Sequence, residues 1–209
     1  MVDRIIGSSA IAPKPQVNPA IARFPGRSSN APVVLVIDTN LWLDLLVFHD
    51  PSTNRLARWL ARGLTQAQGL GAEPIRLQVI GCAPMRAELA DVIGRAKFRL
   101  ETPARQQVLA AWDESVTLEA VAPDCGLPCT DPDDRKFLDL AIAHRVDWLL
   151  SRDRALLAAR KPAGRRFGVR IGKLADFYNW LDVDHRPDTA GAPPPPPPAP
   201  SPSPPPPLR

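Results

Sequence analysis

The chain has 209 residues, enough for one well-packed domain with extensions, and a formal charge of +4 from 26 Lys+Arg against 22 Asp+Glu. That mild excess, nearly all of it arginine, permits a nucleic-acid partner without demonstrating one, while three cysteines (Cys82, Cys125, Cys129) supply neither a disulfide framework nor a complete zinc site and suit a reducing compartment. No stretch is long and apolar enough to cross a bilayer and the N-terminus lacks the apolar core of a signal peptide, so the expectation is a cytoplasmic protein with no membrane partner.

Residues 1–31 lack sustained periodicity and read as a flexible extension. The run Val33-Val34-Leu35-Val36-Ile37 has no polar break, which is how a strand buried on both faces of a parallel sheet reads. It stops at Asp38, and an apolar-periodic helix follows to about His49. Ser52 is placed to cap a second helix from Asn54 to about Leu64, and Gly63 and Gly69-Leu70-Gly71 loosen the connection after it. Pro74 to Ile80 alternates apolar and polar as a half-buried strand does. From Ala83 the spacing becomes helical, with Met85, Leu89, Val92 and Ile93 on one face and Glu88 close to it. Pro103 to about Glu114 is another helix, with Pro103 suited to its first turn. Val116 to Val121 is a short strand, and Pro123 to Asp133 a loop.

Phe137, Leu138, Ala141, Ile142 and Val146 recur at helical spacing, and Asp147 to Asp153 is a strand that again ends on an acid. A short helix from Arg154 to Ala159, a basic loop from Arg160 to Arg166, a strand from Phe167 to Ile171 and a helix from about Lys173 to Leu181 complete the pattern. Strands alternating with helices imply right-handed βαβ units and one α/β domain over 32–184: a mostly parallel central sheet with helices on both faces. Residues 185–209 form a Pro-rich, disordered tail of polyproline II character, better read as a spacer than as a ligand.

The chemistry points to one sheet edge. If the strands ending at Asp38 and Asp153 are parallel, their acids share the carboxyl edge, where open α/β sheets bind ligands. Asp131, Asp133 and Asp134 sit at the start of the helix before the second of these strands, and Glu88 adds a fourth carboxylate. Taken singly, each acid is a helix cap or a solvated charge. Gathered together they repel and raise one another's pKa unless a cation compensates, and an all-oxygen set suits Mg²⁺ or Mn²⁺. His49, His144 and His185 form no nucleophilic grouping with Ser or Cys that the sequence reveals.

Four motifs, in order, carry a resemblance: Val-Ile-Asp38-Thr-Asn; Arg86-Ala-Glu88-Leu-Ala-Asp-Val-Ile; Asp131-Pro-Asp-Asp134-Arg-Lys-Phe-Leu-Asp-Leu-Ala; and Leu149-Leu-Ser-Arg-Asp153-Arg-Ala-Leu-Leu. Between about Val33 and Leu181 the chain resembles a PIN-domain ribonuclease, of the group that includes the toxins of toxin–antitoxin pairs. The resemblance implies a Rossmann-like three-layer fold and Mg²⁺- or Mn²⁺-dependent endonucleolytic hydrolysis of RNA. Carried over position by position, it assigns catalysis and metal binding to Asp38, Glu88, Asp134 and Asp153. Asn40, Ser151, Asp131 and Asp133 are supporting residues, with Asp134 preferred as ligand because Phe137, Leu138 and Ala141 follow it at the family's offsets. It also implies an RNA substrate and an antitoxin partner, and it allows a homo-oligomer. Arg135, Arg152, Arg154 and Arg165 are candidate RNA contacts, though each taken alone is better read as a solvated charge. The alternative is a non-catalytic RNA- or protein-binding module on the same fold. A haloacid-dehalogenase-type phosphatase fits poorly, because the second Asp its motif needs is Asn40 here.

Overall fold

The computed structural model describes residues 31–61 and 76–184. The N-terminal extension, the connection holding Gly63 and Gly69–Gly71, the first residues of the expected second strand, and the tail with His185 lie outside the described residues. Within them, β1 (Val33–Ile37), β2 (Leu77–Cys82), β3 (Val116–Glu119), β4 (Trp148–Leu150) and β5 (Arg170–Gly172) form one sheet in the order β3-β2-β1-β4-β5. All four pairings are parallel. The chain moves outward from β1 to β3, then crosses back to β4 and on to β5. Right-handed crossovers therefore place helices on both faces, and the direction reverses between β1 and β4.

The central strands are covered on both sides, which explains their lack of alternation. Leu35, Val36, Leu149 and Leu150 have no exposed surface. The alternation expected of β2 is mostly absent for the same reason: only Gln78 is partly exposed, because an interior strand of a parallel sheet is covered on both faces. A Cβ on Gly81 would meet Val116 and Trp112 at 2.8 and 2.9 Å, so glycine lets α4 (Thr102–Ser115) approach the sheet closely.

Between β1 and β2 lie α1 (Thr39–Leu46), a 3₁₀ turn over Pro51–Thr53 and α2 (Asn54–Ala61). Asp50, rather than Ser52, caps this junction: its carboxylate accepts the Ser52 N–H at 2.8 Å and its carbonyl accepts the Thr53 hydroxyl. Helix α3 (Ala83–Gly94) buries Met85, Leu89 and Ile93, and α5 (Arg135–Ala143) buries Phe137 through Ile142. Past β4 come α6 (Arg154–Ala158) and α7 (Arg160–Phe167), and α8 (Leu174–Asp184) follows β5.

Helix α7 corrects the expected basic loop. Pro162 stands in its first turn, where a missing N–H removes no helical bond, Ala163 is buried, and Gly168 at φ 76° ends it. Pro162 and Gly164, read as breakers, had disguised a helix. Because β5 begins at Arg170, the last turn of α7, with the exposed Arg165 and Arg166, lies toward the amino edge of the sheet.

Candidate active site

The loops and helix starts beyond the carboxyl ends of β1, β2 and β4 supply the acids. Asp38 follows β1 and caps α1, its carboxylate accepting the Asn40 N–H at 3.4 Å. Only 1% of it is exposed, and burial raises its pKa, with Glu88 pushing the same way and Ser151 and Asn40 opposing. Ile37 is in register with Leu150 on β4, so the residues just past each strand lie side by side. Ser151 uses that adjacency: its hydroxyl donates to Asp38 Oδ2 at 2.7 Å and accepts the Asp153 N–H at 2.9 Å. Asp153 in turn caps α6 through the Ala155 and Leu156 N–H groups.

Asp134 stands at the N-terminus of α5 but makes no side-chain capping bond. Burial first, then the charges of Asp153 and Asp38, raise its pKa to about 7, and its carboxyl hydrogen-bonds that of Asp153. Glu88 reaches the group from the second turn of α3 and is ion-paired with Lys136 at 2.6 Å. Lys136 also donates to the Asp133 carbonyl. Thus two strand ends and two helices bring Asp38, Glu88, Asp134 and Asp153 together at one edge of the sheet.

The supporting positions separate into two kinds. Ser151 is buried and bridges two of the acids, whereas Asn40, Asp131 and Asp133 are exposed. Asp131 accepts the Asp133 N–H at 2.9 Å and adds its charge to the pressure on Asp134. Asn40, Glu88, Asp133 and Lys136 line a cleft of about 690 Å³ that opens beside the buried acids. Of the candidate RNA contacts, Arg135 is tied to Asp124 at 2.7 Å and Arg152 to Asp44 at 2.8 Å. Arg154 is exposed next to Asp153, and Arg165 lies toward the opposite edge.

The chain from Val34 to Ala155 matches the family model described as "PIN domain". The chain belongs to the PIN-domain family. PIN domains are generally nucleases. No curated protein matches the chain. Among solved structures, this PIN domain is similar to a chain in the crystal structure of VapBC2 from Rickettsia felis bound to a DNA fragment from their promoter. The identity is 12%, the match covers 67% of this chain and 98% of that one, and the TM-score is 0.45.

A second acidic grouping in the PIN domain escaped the sequence reading. Among the described residues, the three side chains whose ligand atoms lie within 4.8 Å of one another are Asp124, Cys125 and Asp139. Each is accounted for by the fold. Asp139, buried on α5, accepts the Cys125 N–H at 2.9 Å; Asp124 accepts the Gly126 N–H and pairs with Arg135. Burial pushes the Cys125 thiol up to about 11, so it stays protonated. The signal available was Asp139 itself, an acid set among Phe137, Leu138, Leu140 and Ala141 on a helix's apolar face, which must find a partner.

The quartet fits a divalent cation. Its donors are all oxygen, every cause acting on Asp134 raises its pKa, and none of the ion pairs among the described residues reaches Asp38, Asp134 or Asp153. Acids held together without a compensating cation are electrostatically unfavourable, and a divalent ion relieves that.

Proposed function

We propose that the protein is a divalent-metal-dependent endoribonuclease whose metal-holding and catalytic residues are Asp38, Glu88, Asp134 and Asp153. The observation that carries this reading is the pressure on Asp134, brought against two other carboxylates from separate elements at the point where the strand order reverses. Asp38, Asp134 and Asp153, with Glu88, would hold Mg²⁺ or Mn²⁺. Bound there, such an ion supplies a water acidified toward neutral pH and offsets charge on the scissile phosphate.

The chain's own groups prepare that site. Ser151 fixes the Asp38 carboxylate and the backbone that presents Asp153, so two donors move as one unit. Lys136 holds Glu88 in place, where Glu88 can serve as a ligand or orient the attacking water. Burial of Asp38 excludes bulk solvent from one side. Hydrolysis of this kind leaves a 5′-phosphate and a 3′-hydroxyl.

Within this reading the protein is the toxin of a toxin–antitoxin pair, acting in the cytoplasm and held inactive by a protein partner. The ordered set of four motifs supports that assignment, and no helix among the described residues is long and apolar enough to cross a membrane. The test is cleavage of single-stranded RNA by purified protein in EDTA, Mg²⁺ and Mn²⁺. Cleavage in metal alone, abolished in Asp134→Asn and Asp153→Asn, is expected. Undiminished cleavage by either variant overturns the site. Growth arrest on expression, relieved by Asp153→Asn, tests the toxin assignment separately.

A further inference from the structure

The cleft beside the acids has a wall that metal-assisted hydrolysis does not use. Phe48, just past the end of α1, is 57% exposed, an unusual position for so large an apolar side chain. Its ring lies 5.9 Å from that of Phe98 at a 35° tilt, so the two form a short aromatic shelf. Lys97 extends over the Phe98 ring at 5.0 Å. Both rings line the same cleft as Asn40, Glu88 and Arg152. Helix α1 begins at the buried Asp38 and ends at the shelf; its eight residues rise about 12 Å, so the shelf stands a short way along any strand passing the acids.

We propose that Phe48 and Phe98 form a base-stacking subsite that seats one unstacked base of the RNA beside the cleaved bond. The inference rests on the nuclease reading given above. Sequence-specific and strand-specific RNA recognition targets bases that can be splayed out onto aromatic faces, beside cations that track the backbone. The cleft provides both. Arg95, Lys97, Lys136 and Arg152 on its wall outnumber Glu88, Asp91 and Asp133. Lys136 pairs with Glu88, Arg95 with Asp91 and Arg152 with Asp44, so among the described residues Lys97, over the Phe98 ring, is the wall's cation outside an ion pair. A base in a duplex presents no free face, so a paired strand cannot use the shelf.

The test compares a short labelled single-stranded oligoribonucleotide with an abasic oligomer of the same length, binding wild type, Phe48→Ala and Phe48→Tyr in EDTA by fluorescence anisotropy. Phe48 is exposed, so its truncation leaves the core intact. Phe48→Ala should weaken binding of the base-bearing oligomer about tenfold or more, the scale of a lost base–aromatic stack. The abasic oligomer should bind wild type and Phe48→Ala alike, and Phe48→Tyr should restore wild-type affinity. Equal binding of the base-bearing oligomer by wild type and Phe48→Ala, at any strength including none, overturns the subsite. Equal weakening of both oligomers does so too, because the ring would then act on the backbone and not on a base. Cleavage in Mg²⁺ is run in parallel: a stacking signature without any metal-dependent cleavage sinks the nuclease reading and leaves the subsite standing.

Discussion

Helix α5 carries acids into two clusters that differ in one respect. At its N-terminus, Asp134 faces Asp38 and Asp153, and nothing fixed in the described fold neutralises the three. On its buried side, Asp139 meets Asp124 and Cys125 in a tighter group, yet there Arg135 sets a fixed cation beside Asp124, whereas Asp38 and Asp153 have only hydroxyl and backbone N–H donors. Proximity alone would have selected the second cluster. Compensation separates a structural clasp from a site built to receive a cation, because a satisfied acid has no reason to bind one.

Breaking the comparison at its functional end should give the largest effect. Asp134→Asn or Asp153→Asn is expected to lower RNA cleavage by about 100-fold or more, since even residues behind a metal's ligands are worth 10–100-fold, with the circular-dichroism spectrum unchanged. Asp139→Ala should do the reverse. It leaves the half-buried Cys125 N–H without its acceptor and lowers unfolding free energy in urea by about 1–2 kcal/mol, while cleavage per folded molecule holds.

The third expectation concerns pH. The folded Asp134 carboxyl titrates at about 7, above the 3.8 of an unperturbed Asp. Between those values the folded chain holds a proton that the unfolded chain has released. Stability in EDTA from this group is therefore fully present below the unfolded pKa and falls as pH rises to 7, levelling above it. Mn²⁺ competes with that proton, so the rise in Tm on adding it should be small at pH 5.5 and grow through pH 8. A Tm increment independent of pH would contradict the assignment.

Two smaller effects sharpen the picture. Lys136→Met removes a cation beside Glu88 and should tighten Mn²⁺ binding about fivefold, the order of one screened charge interaction. Arg165→Ala, toward the far edge of the sheet, should leave cleavage unchanged within measurement error; a marked loss would mean the RNA path extends over α7.

The sheet and most helices were legible because two-sided burial and helical spacing leave strong apolar signatures, as in β1 and α5. The shared edge of Asp38 and Asp153 followed from one inference, that both strands are parallel; that they are neighbours came from the fold. Helix α7 was obscured because Pro162 and Gly164 read as breakers without knowledge of where the helix begins. The clasp was obscured because Asp139 meets its partners across a loop of irregular backbone, for which sequence has no period. Arg135 and Arg152 looked free as neighbours of acids, yet each is claimed by a distant carboxylate, Asp124 and Asp44, that only the folded chain brings near.

Calorimetric titration of Mn²⁺ into the metal-free wild type, Asp134→Asn and Asp124→Asn at pH 8 tests the division between the two clusters most directly. Wild type and Asp124→Asn should bind the ion and Asp134→Asn should not. Binding retained in Asp134→Asn and lost in Asp124→Asn would place the cation in the clasp and contradict the account.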